Sequence, residues 1–464
     1  MPAVPSSSHQ SVRLPWLPFV ALTVFSISQL SAGLQLDLDD AASIKAATSQ
    51  VAYDMMKYYD GNLTGRIPGN LPDPYYWWQC GAMFGSLLDY YFYTGDGQYN
   101  DLVTQGMLHQ VGPNNDYMTP NQTKTTGNDD QGFWAMSALS AAEQRFPNPP
   151  EDKPQWLALA QAVFNTQALR WDTQFCGGGL RWQVFTFNTG YDYKNTISNG
   201  VFFNIAARLA KYTGNQTYAD WADKVWDWTN DVGFIQGYHF FDGAHTTLNC
   251  NDTNRVQWTY NAGVYMLGAA NMYNFTGGSA KWSERLDNIF NQTSMFYTAN
   301  PPNVMQEQAC EPYGTCNTDN FSFKAYLARW MAASTKVAPY MYDGVMEKIR
   351  ASAAAAALQC SGGASGTLCG IKWSDGAKYD GTTGVGQQMS ALEVMQSLLI
   401  SRVAAPVTQD TGGISKGDPS AGSAGTFDPS LPQDTIERKD RVGAGILTTL
   451  VLVSGIGSTW WMIA

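Results

Sequence analysis

The sequence predicts an all-α fold, a closed toroid of six helical hairpins of the (α/α)6 barrel type. Three observations carry this reading: a two-helix unit recurs along the chain, its two helices differ in polarity, and one spare helix can close the ring. The clearest copies are "GAMFGSLLDYYFYTGDGQYNDLV" (81–103), "GVFFNIAARLAKYTGNQTYADWADKVWDW" (200–228) and "AGVYMLGAANMYNFTGGSAKWSERLDNIF" (262–290). Looser copies make six starts, near residues 78, 129, 199, 260, 321 and 386. Self-similarity of this kind is the mark of a repeat architecture in which each unit buries its apolar face on the next.

Each part of the unit has a physical reason. The first helix, as in "GVFFNIAARLA", has no broad polar face and belongs in an inner ring covered on both sides. In the "YTGD" and "YTGN" turns a glycine stands where a helix C-terminus needs positive φ, and the Asp or Asn after it can cap the next helix. The second helix, as in "YADWADKVWDWTND", carries a charged stripe and belongs in an outer ring. The helix around 41–59 can close the circle against the last inner helix, 386–403. Strand signals are few; "GGLRWQVFTF" (178–187) is the best of them and reads as a hairpin at the barrel mouth.

The ends read as processing signals. Arg13 and the apolar stretch that follows, ending in "SQLSAG", form a secretory leader (1–33) with cleavage near Ala32 or Gly33. The barrel then spans 34–406. A Gly/Ser/Pro-rich flexible stalk (407–442) contains "SAGSAG" at 420–425, and a hydrophobic tail (443–464) runs flush with the last residue. That is the pattern of a GPI-attachment signal whose tail is removed, with a retained tail anchor as the alternative. Secretion accords with seven Asn-x-Ser/Thr acceptors, at Asn62, Asn121, Asn215, Asn251, Asn274, Asn291 and Asn320. It accords also with seven cysteines. Cys310–Cys316 and Cys360–Cys369 are close enough to pair locally, Cys176–Cys250 are left over, and Cys80 is the odd thiol. The expected location is the outer face of the plasma membrane or the cell wall.

A net charge of −11 excludes the basic footprint of a nucleic-acid binder. With 13% aromatics and only 14% charged residues, the composition suits a neutral ring-shaped ligand such as a sugar. Four histidines and no HExxH or clustered Cys/His spacing leave no basis for a catalytic metal or other cofactor, and no GxSxG elbow is present. The pair Asp129–Asp130, in "TGNDDQGFWAMSAL" at the start of an inner helix, is the distinctive feature. Asn128 with Gln131 reads as a capping box, and one acid would satisfy the helix dipole; two adjacent acids repel. Paired carboxylates about 5–5.5 Å apart serve a retaining glycosidase, whereas an inverting one needs about 6.5–9.5 Å. Neighbouring aspartates reach the shorter gap comfortably. Helix-end N–H groups would keep one ionised, and repulsion would hold the other protonated. The other inner-helix starts add polar and aromatic residues at the same mouth.

The motifs "YWWQCGAMFGSLLDYYFYTGD", "GNDDQGFWAMSALSAAE", "GGGLRW", "YKNTISNGVFFNIAARLAKYTGN" and "WTYNAGVYMLGAANMYNFTG", in this order, resemble glycoside hydrolase family 76, the endo-α-1,6-mannanases. The resemblance runs from Leu36 to Arg402, and the leader, acceptors and tail are similar to its fungal cell-wall branch. It implies an (α/α)6 fold and a retaining mechanism with Asp129 as nucleophile and Asp130 as acid/base. It implies α-1,6-linked mannose glycans or the GPI-anchor glycan core as substrate, and transfer to cell-wall glucan as an alternative to hydrolysis. Trp78, Trp182 and Tyr260 are candidates to line or stack on the sugar; Gln79, Asn128, Asn199, Asp242 and Asn261 are candidates to bond its hydroxyls. Competing readings are another six-hairpin glycosidase and a catalytically inactive carbohydrate-binding protein of the wall.

Overall fold

The computed structural model describes residues 1–3, 34–423, 428–430 and 438–463. The expected leader thus lies, apart from its first three residues, outside the described residues. Six inner helices follow one another: α2 (Trp77–Thr94), α4 (Asn128–Glu143), α6 (Thr196–Thr213), α8 (Thr259–Phe275), α10 (Asn320–Val337) and α12 (Val385–Gln396). Each packs on the next, and α12 packs on α2, so the ring closes. Outside it lie α1 (Ala41–Met56), α3 (Asn100–His109), α5 (Trp156–Leu169), α7 (Gln216–Asp231), α9 (Ala280–Gln292) and α11 (Tyr342–Gln359). As the sequence predicts, α1 closes the circle by packing against α12.

The polarity contrast between the rings has its expected cause. Nearly every residue of α6 is buried, from Thr196 to Tyr212, whereas α7 buries only a stripe that includes Tyr218, Ala222, Val225 and Trp226. The turn glycines Gly95 and Gly214 adopt φ of 77° and 69° and end α2 and α6, and Asn215 caps α7 by accepting the Thr217 N–H. A further device works near the mouth: glycines in the first two turns of the inner helices let the ring draw tight. A Cβ on Gly132 would stand 2.0 Å from Val201, and one on Gly81 2.7 Å from Trp134. Gly200 meets α8 in the same way. Close approach at these points requires the missing side chain.

Strands are short and gather at the mouth: β1 (Tyr193–Asn195), β2 (Ile235–Gln236), β3 (His239–His245) and β4 (Asn254–Gln257) form one antiparallel sheet. Elsewhere β5 (Cys360–Gly362) pairs with β6 (Leu368–Cys369). The stretch 178–187 is not the hairpin its composition suggested. It is a loop held by α4, with Gly127 bridging Gln183 and the Asn128 N–H donating to the Trp182 carbonyl at 2.8 Å. Disulfides join Cys176–Cys250, Cys310–Cys316 and Cys360–Cys369, and Cys80 is a buried free thiol.

Two expectations need correction. Residues 407–421 are not a free stalk but a strap laid along the barrel wall. Val407 and Gln409 bond the carbonyls of Glu143 and Tyr212, Ser415 accepts the Leu157 N–H, and Asn165 donates to Pro419 and Ala421. Further on, the Pro429 carbonyl accepts the Thr186 N–H beside the mouth. Low hydrophobicity does not free a chain whose backbone polar groups find partners on helix ends. Asn320 is also unlike the other glycan acceptors. Six stand exposed, but Asn320 is buried in the first turn of α10, its side chain accepting the Asn317 N–H. The final helix is α13 (Arg438–Ile463); among the described residues no helix is long and apolar enough to cross a membrane.

Candidate active site

The N-terminal ends of the inner helices meet at one face, and there a cavity of about 240 Å³ opens. α4 contributes Asp129, Asp130 and Phe133 to its lining, α2 contributes Trp78, α8 Tyr260, and α10 Phe323 with Asp319 just ahead of it. The β-sheet and the mouth loop supply Tyr193, Asn195, Asp242 and Trp182. A second cleft of about 580 Å³ adjoins it, bordered by Tyr75, Tyr76, Gln122, Lys124 and Gln183. Among the described residues, only Trp78, Asp130, Trp182 and Asp319 line both. Asp129 therefore faces the inner cavity alone, while Asp130 stands where the two spaces join.

The start of α4 is built differently from the capping box expected of Asn128 and Gln131. Gly127 is the N-cap, and the Asp130 carboxylate reaches back to accept its N–H at 2.7 Å. Asn128 is buried and structural: its amide donates to the Arg181 carbonyl at 2.8 Å and accepts from Arg170 at 2.8 Å. Gln131 donates to the Asp116 carbonyl and accepts from the same arginine. Both amides were needed to hold the helix end against the mouth loop, which left an acid to do the capping.

The electrostatics follow from burial. It raises Asp129 from the usual aspartate range to about 7, opposed by the N–H groups of Asp130 and Asp129 itself and by the Asn195 side chain. Asp130 too is raised well above that range, first by burial and then by the Asp129 charge beside it. Repulsion between neighbouring acids is what the sequence leads one to expect for one member of the pair, without saying which; at Asp130 desolvation is the larger cause. Asn195 is placed for its part because its oxygen caps α6 at the Ser198 N–H, 3.2 Å away, turning its amide N–H toward Asp129. Next to it the buried Lys194 donates to the carbonyls of Asp172, Phe175 and Gly178 and pins β1 to the mouth loop. Asp242 lies at a register shift in β3, where it accepts the Tyr193 hydroxyl at 2.7 Å and the Trp258 indole N–H at 3.1 Å. Tyr260 stacks flat on Phe323, centroids 3.9 Å apart.

Of the residues singled out from the sequence, Asp129, Asp130, Trp78, Trp182, Asp242 and Tyr260 thus converge on one cavity. Gln79, Asn128, Asn199 and Asn261 do not line it; all four are buried in the framework. Gln79 donates to the Thr318 carbonyl and Asn199 holds Leu180 and Asn195. Helix-start amides suggest sugar ligands, but backbone groups claim those of Gln79, Asn128 and Asn199, and the Asn261 amide is buried without a hydrogen-bond partner. The lining residues missed were Tyr193, Asn195, Asp319, Phe133 and Phe323. Asn195 lies inside the "YKNTISNG" motif and Asp319 two residues ahead of an inner-helix start, so position in the repeat was a usable signal for both.

A six-hairpin ring with paired acids in a cavity at its mouth defines a glycosidase of the (α/α)6 class. The glycosyl hydrolase family 76 model matches residues 43–410, and the chain belongs to that family. Among its relatives, mannan endo-1,6-alpha-mannosidase DCW1 of Candida glabrata is 47% identical over 93% of this chain and 96% of its own length. The Saccharomyces cerevisiae protein of the same name is 45% identical over 95% of this chain and 98% of its own length. The crystal structure of Dfg5 from Chaetomium thermophilum in complex with glucosamine is 48% identical, with a TM-score of 0.80 over 83% of this chain and 97% of that one. An α-1,6-mannanase of Salegentibacter sp., 18% identical with a TM-score of 0.61 over 76% of this chain and 98% of that one, shares the fold.

Proposed function

We propose that this enzyme is a retaining, endo-acting α-1,6-mannosidase in which Asp129 is the nucleophile and Asp130 the acid/base. The observation that carries the reading is the placement of Asp129 in the inner cavity and Asp130 at its junction with the outer cleft. A mannose ring in the inner cavity presents its anomeric carbon to Asp129. The glycosidic oxygen then falls at the junction, where protonated Asp130 gives it a proton as the leaving chain departs along the cleft. Asp129 forms a glycosyl ester and loses its charge. With that charge gone, the proton affinity of Asp130 falls and it becomes the base for the second step. It takes a proton from an incoming hydroxyl, whose oxygen attacks the anomeric carbon and releases Asp129.

Water and a sugar hydroxyl both satisfy that step. The outer cleft, lined by Tyr75, Tyr76 and Trp182, has the aromatic character suited to a second sugar chain, which favours transfer as well as hydrolysis. Names of close relatives support mannan as donor, and the glucosamine complex of Dfg5 supports a glycan core that contains an amino sugar. Work at the outer face of the membrane or in the wall, with a GPI-anchor glycan as donor and wall glucan as acceptor, is the setting this reading favours. The leader and tail patterns, six exposed glycan acceptors and three disulfides support it.

The test is to incubate the full-length protein with reduced α-1,6-mannan, with and without an added oligosaccharide acceptor. Shortened mannan, and a new product carrying the acceptor, are expected from the parent and from neither Asp129→Asn nor Asp130→Asn. Equal behaviour of parent and variants, with mannan bound but uncut, would leave a carbohydrate-binding protein in its place.

A further inference from the structure

Asp319 has no role in the two-carboxylate account, yet it is one of four described residues that line both the inner cavity and the outer cleft. It occupies the N-cap position of α10 but makes no capping hydrogen bond. Asn317 does that work, accepting the N–H groups of Asp319 and Asn320, each at 3.0 Å. The carboxylate is thereby released from the helix it introduces. Its Oδ1 is buried and has no hydrogen-bond partner. Burial raises its pKa to about 6, and the Trp78 indole opposes the rise.

The backbone that carries it is held from both sides. Gln79 of α2 donates to the Thr318 carbonyl at 3.0 Å, and the Cys310–Cys316 disulfide closes the loop before it. Among the described residues, no lysine or arginine lines the inner cavity. An acceptor oxygen sealed from water and left unpaired is unfavourable unless something that enters the cavity supplies the donor. Sugar hydroxyls are the donors that the proposed reaction brings there.

We infer that Asp319 is a third substrate-contacting carboxylate, which accepts a hydrogen bond from a hydroxyl of the sugar ring next to the cleaved bond and so fixes that ring across the junction. The inference rests on the proposed glycosidase reading and adds a specificity-determining residue to it. Asp319 also acts at a distance on the acid pair: its charge raises the proton affinity of both Asp129 and Asp130. Neutralising it therefore lowers both, and the pH–rate profile moves to lower pH.

The test uses the full-length protein and Asp319→Asn, which keeps the shape of the side chain and removes the charge. Binding of α-1,6-mannotetraose is measured by calorimetry in the Asp130→Asn background, with and without Asp319→Asn, and kcat and KM are measured across pH in the active background. Expected are a loss of affinity of about ten-fold, a KM raised more than kcat is lowered, and a pH profile displaced downward. Unchanged affinity together with an unmoved pH profile would overturn the inference. Turnover by the parent tests the glycosidase reading separately, because the affinity ratio is obtained without turnover.

Discussion

The two ends of the ring bury acids in comparable numbers and treat them in opposite ways. At the closed end, where the inner helices finish, Asp89, Glu143 and Glu393 meet Arg208 and Arg329. Arg208 pairs with Glu143 at 2.8 Å, and Arg329 with Asp89 at 2.9 Å and Glu393 at 2.5 Å. The space left among them is about 40 Å³. At the mouth, Asp129, Asp130, Asp242 and Asp319 surround about 240 Å³ with no cation among the described residues of the lining. Burial raises carboxylates at both ends; only at the closed end does an arginine oppose it. The same helices thus carry a sealed, paired cluster at one end and an open, unpaired one at the other. Unpaired buried acids weaken a fold, and their persistence beside a cavity is what marks a reaction site.

The sharpest way to break the comparison is to neutralise an acid at the mouth. Asp129→Asn or Asp130→Asn should lower kcat by about 10² to 10⁴-fold or more while leaving the thermal midpoint equal or higher. A large loss of stability would mean that these acids hold the fold together. The matching change at the closed end is Arg329→Met. It strands Asp89 and Glu393 and should cost about 3–5 kcal/mol in a denaturant titration. Parent-like stability there would remove the contrast.

Acidity separates the ends more finely. Asp129 binds its proton up to about pH 7 in the folded protein and releases it in the ordinary aspartate range when unfolded. Its contribution to stability is therefore full at low pH and declines as pH rises toward 7. Asp129→Asn should flatten that part of the stability–pH curve. In the parent, the acid limb of kcat/KM should lie above the ordinary aspartate range, because Asp129 must ionise first. The smallest effect expected is from Trp182→Ala, which removes one wall shared by both spaces; KM should rise several-fold with kcat nearly kept, as measured by initial rates.

What could be read in the sequence follows the same division. Inner and outer helices, ring closure and the acid pair were legible because burial writes itself as periodicity and because two adjacent acids are more than the capping of an apolar helix start needs. The amides were not. Asn128, Gln79 and Asn199 look like polar ligands in the chain, and only the fold reveals the mouth-loop and Thr318 carbonyls that occupy them. Asp319 was missed for the converse reason: an acid before a helix reads as a cap, and nothing in the sequence says that Asn317 has taken that task. The strap from 407 onward was hidden because its anchors are backbone groups and helix-end side chains, which leave no apolar pattern.

The central claim is that the two neighbouring carboxylates at the mouth act on one anomeric carbon through a covalent glycosyl ester. Proton NMR of the first product released from α-1,6-mannan, recorded before mutarotation, tests it most directly. The account predicts the α anomer first, with β appearing only as the sugar equilibrates. A first-formed β anomer would contradict it.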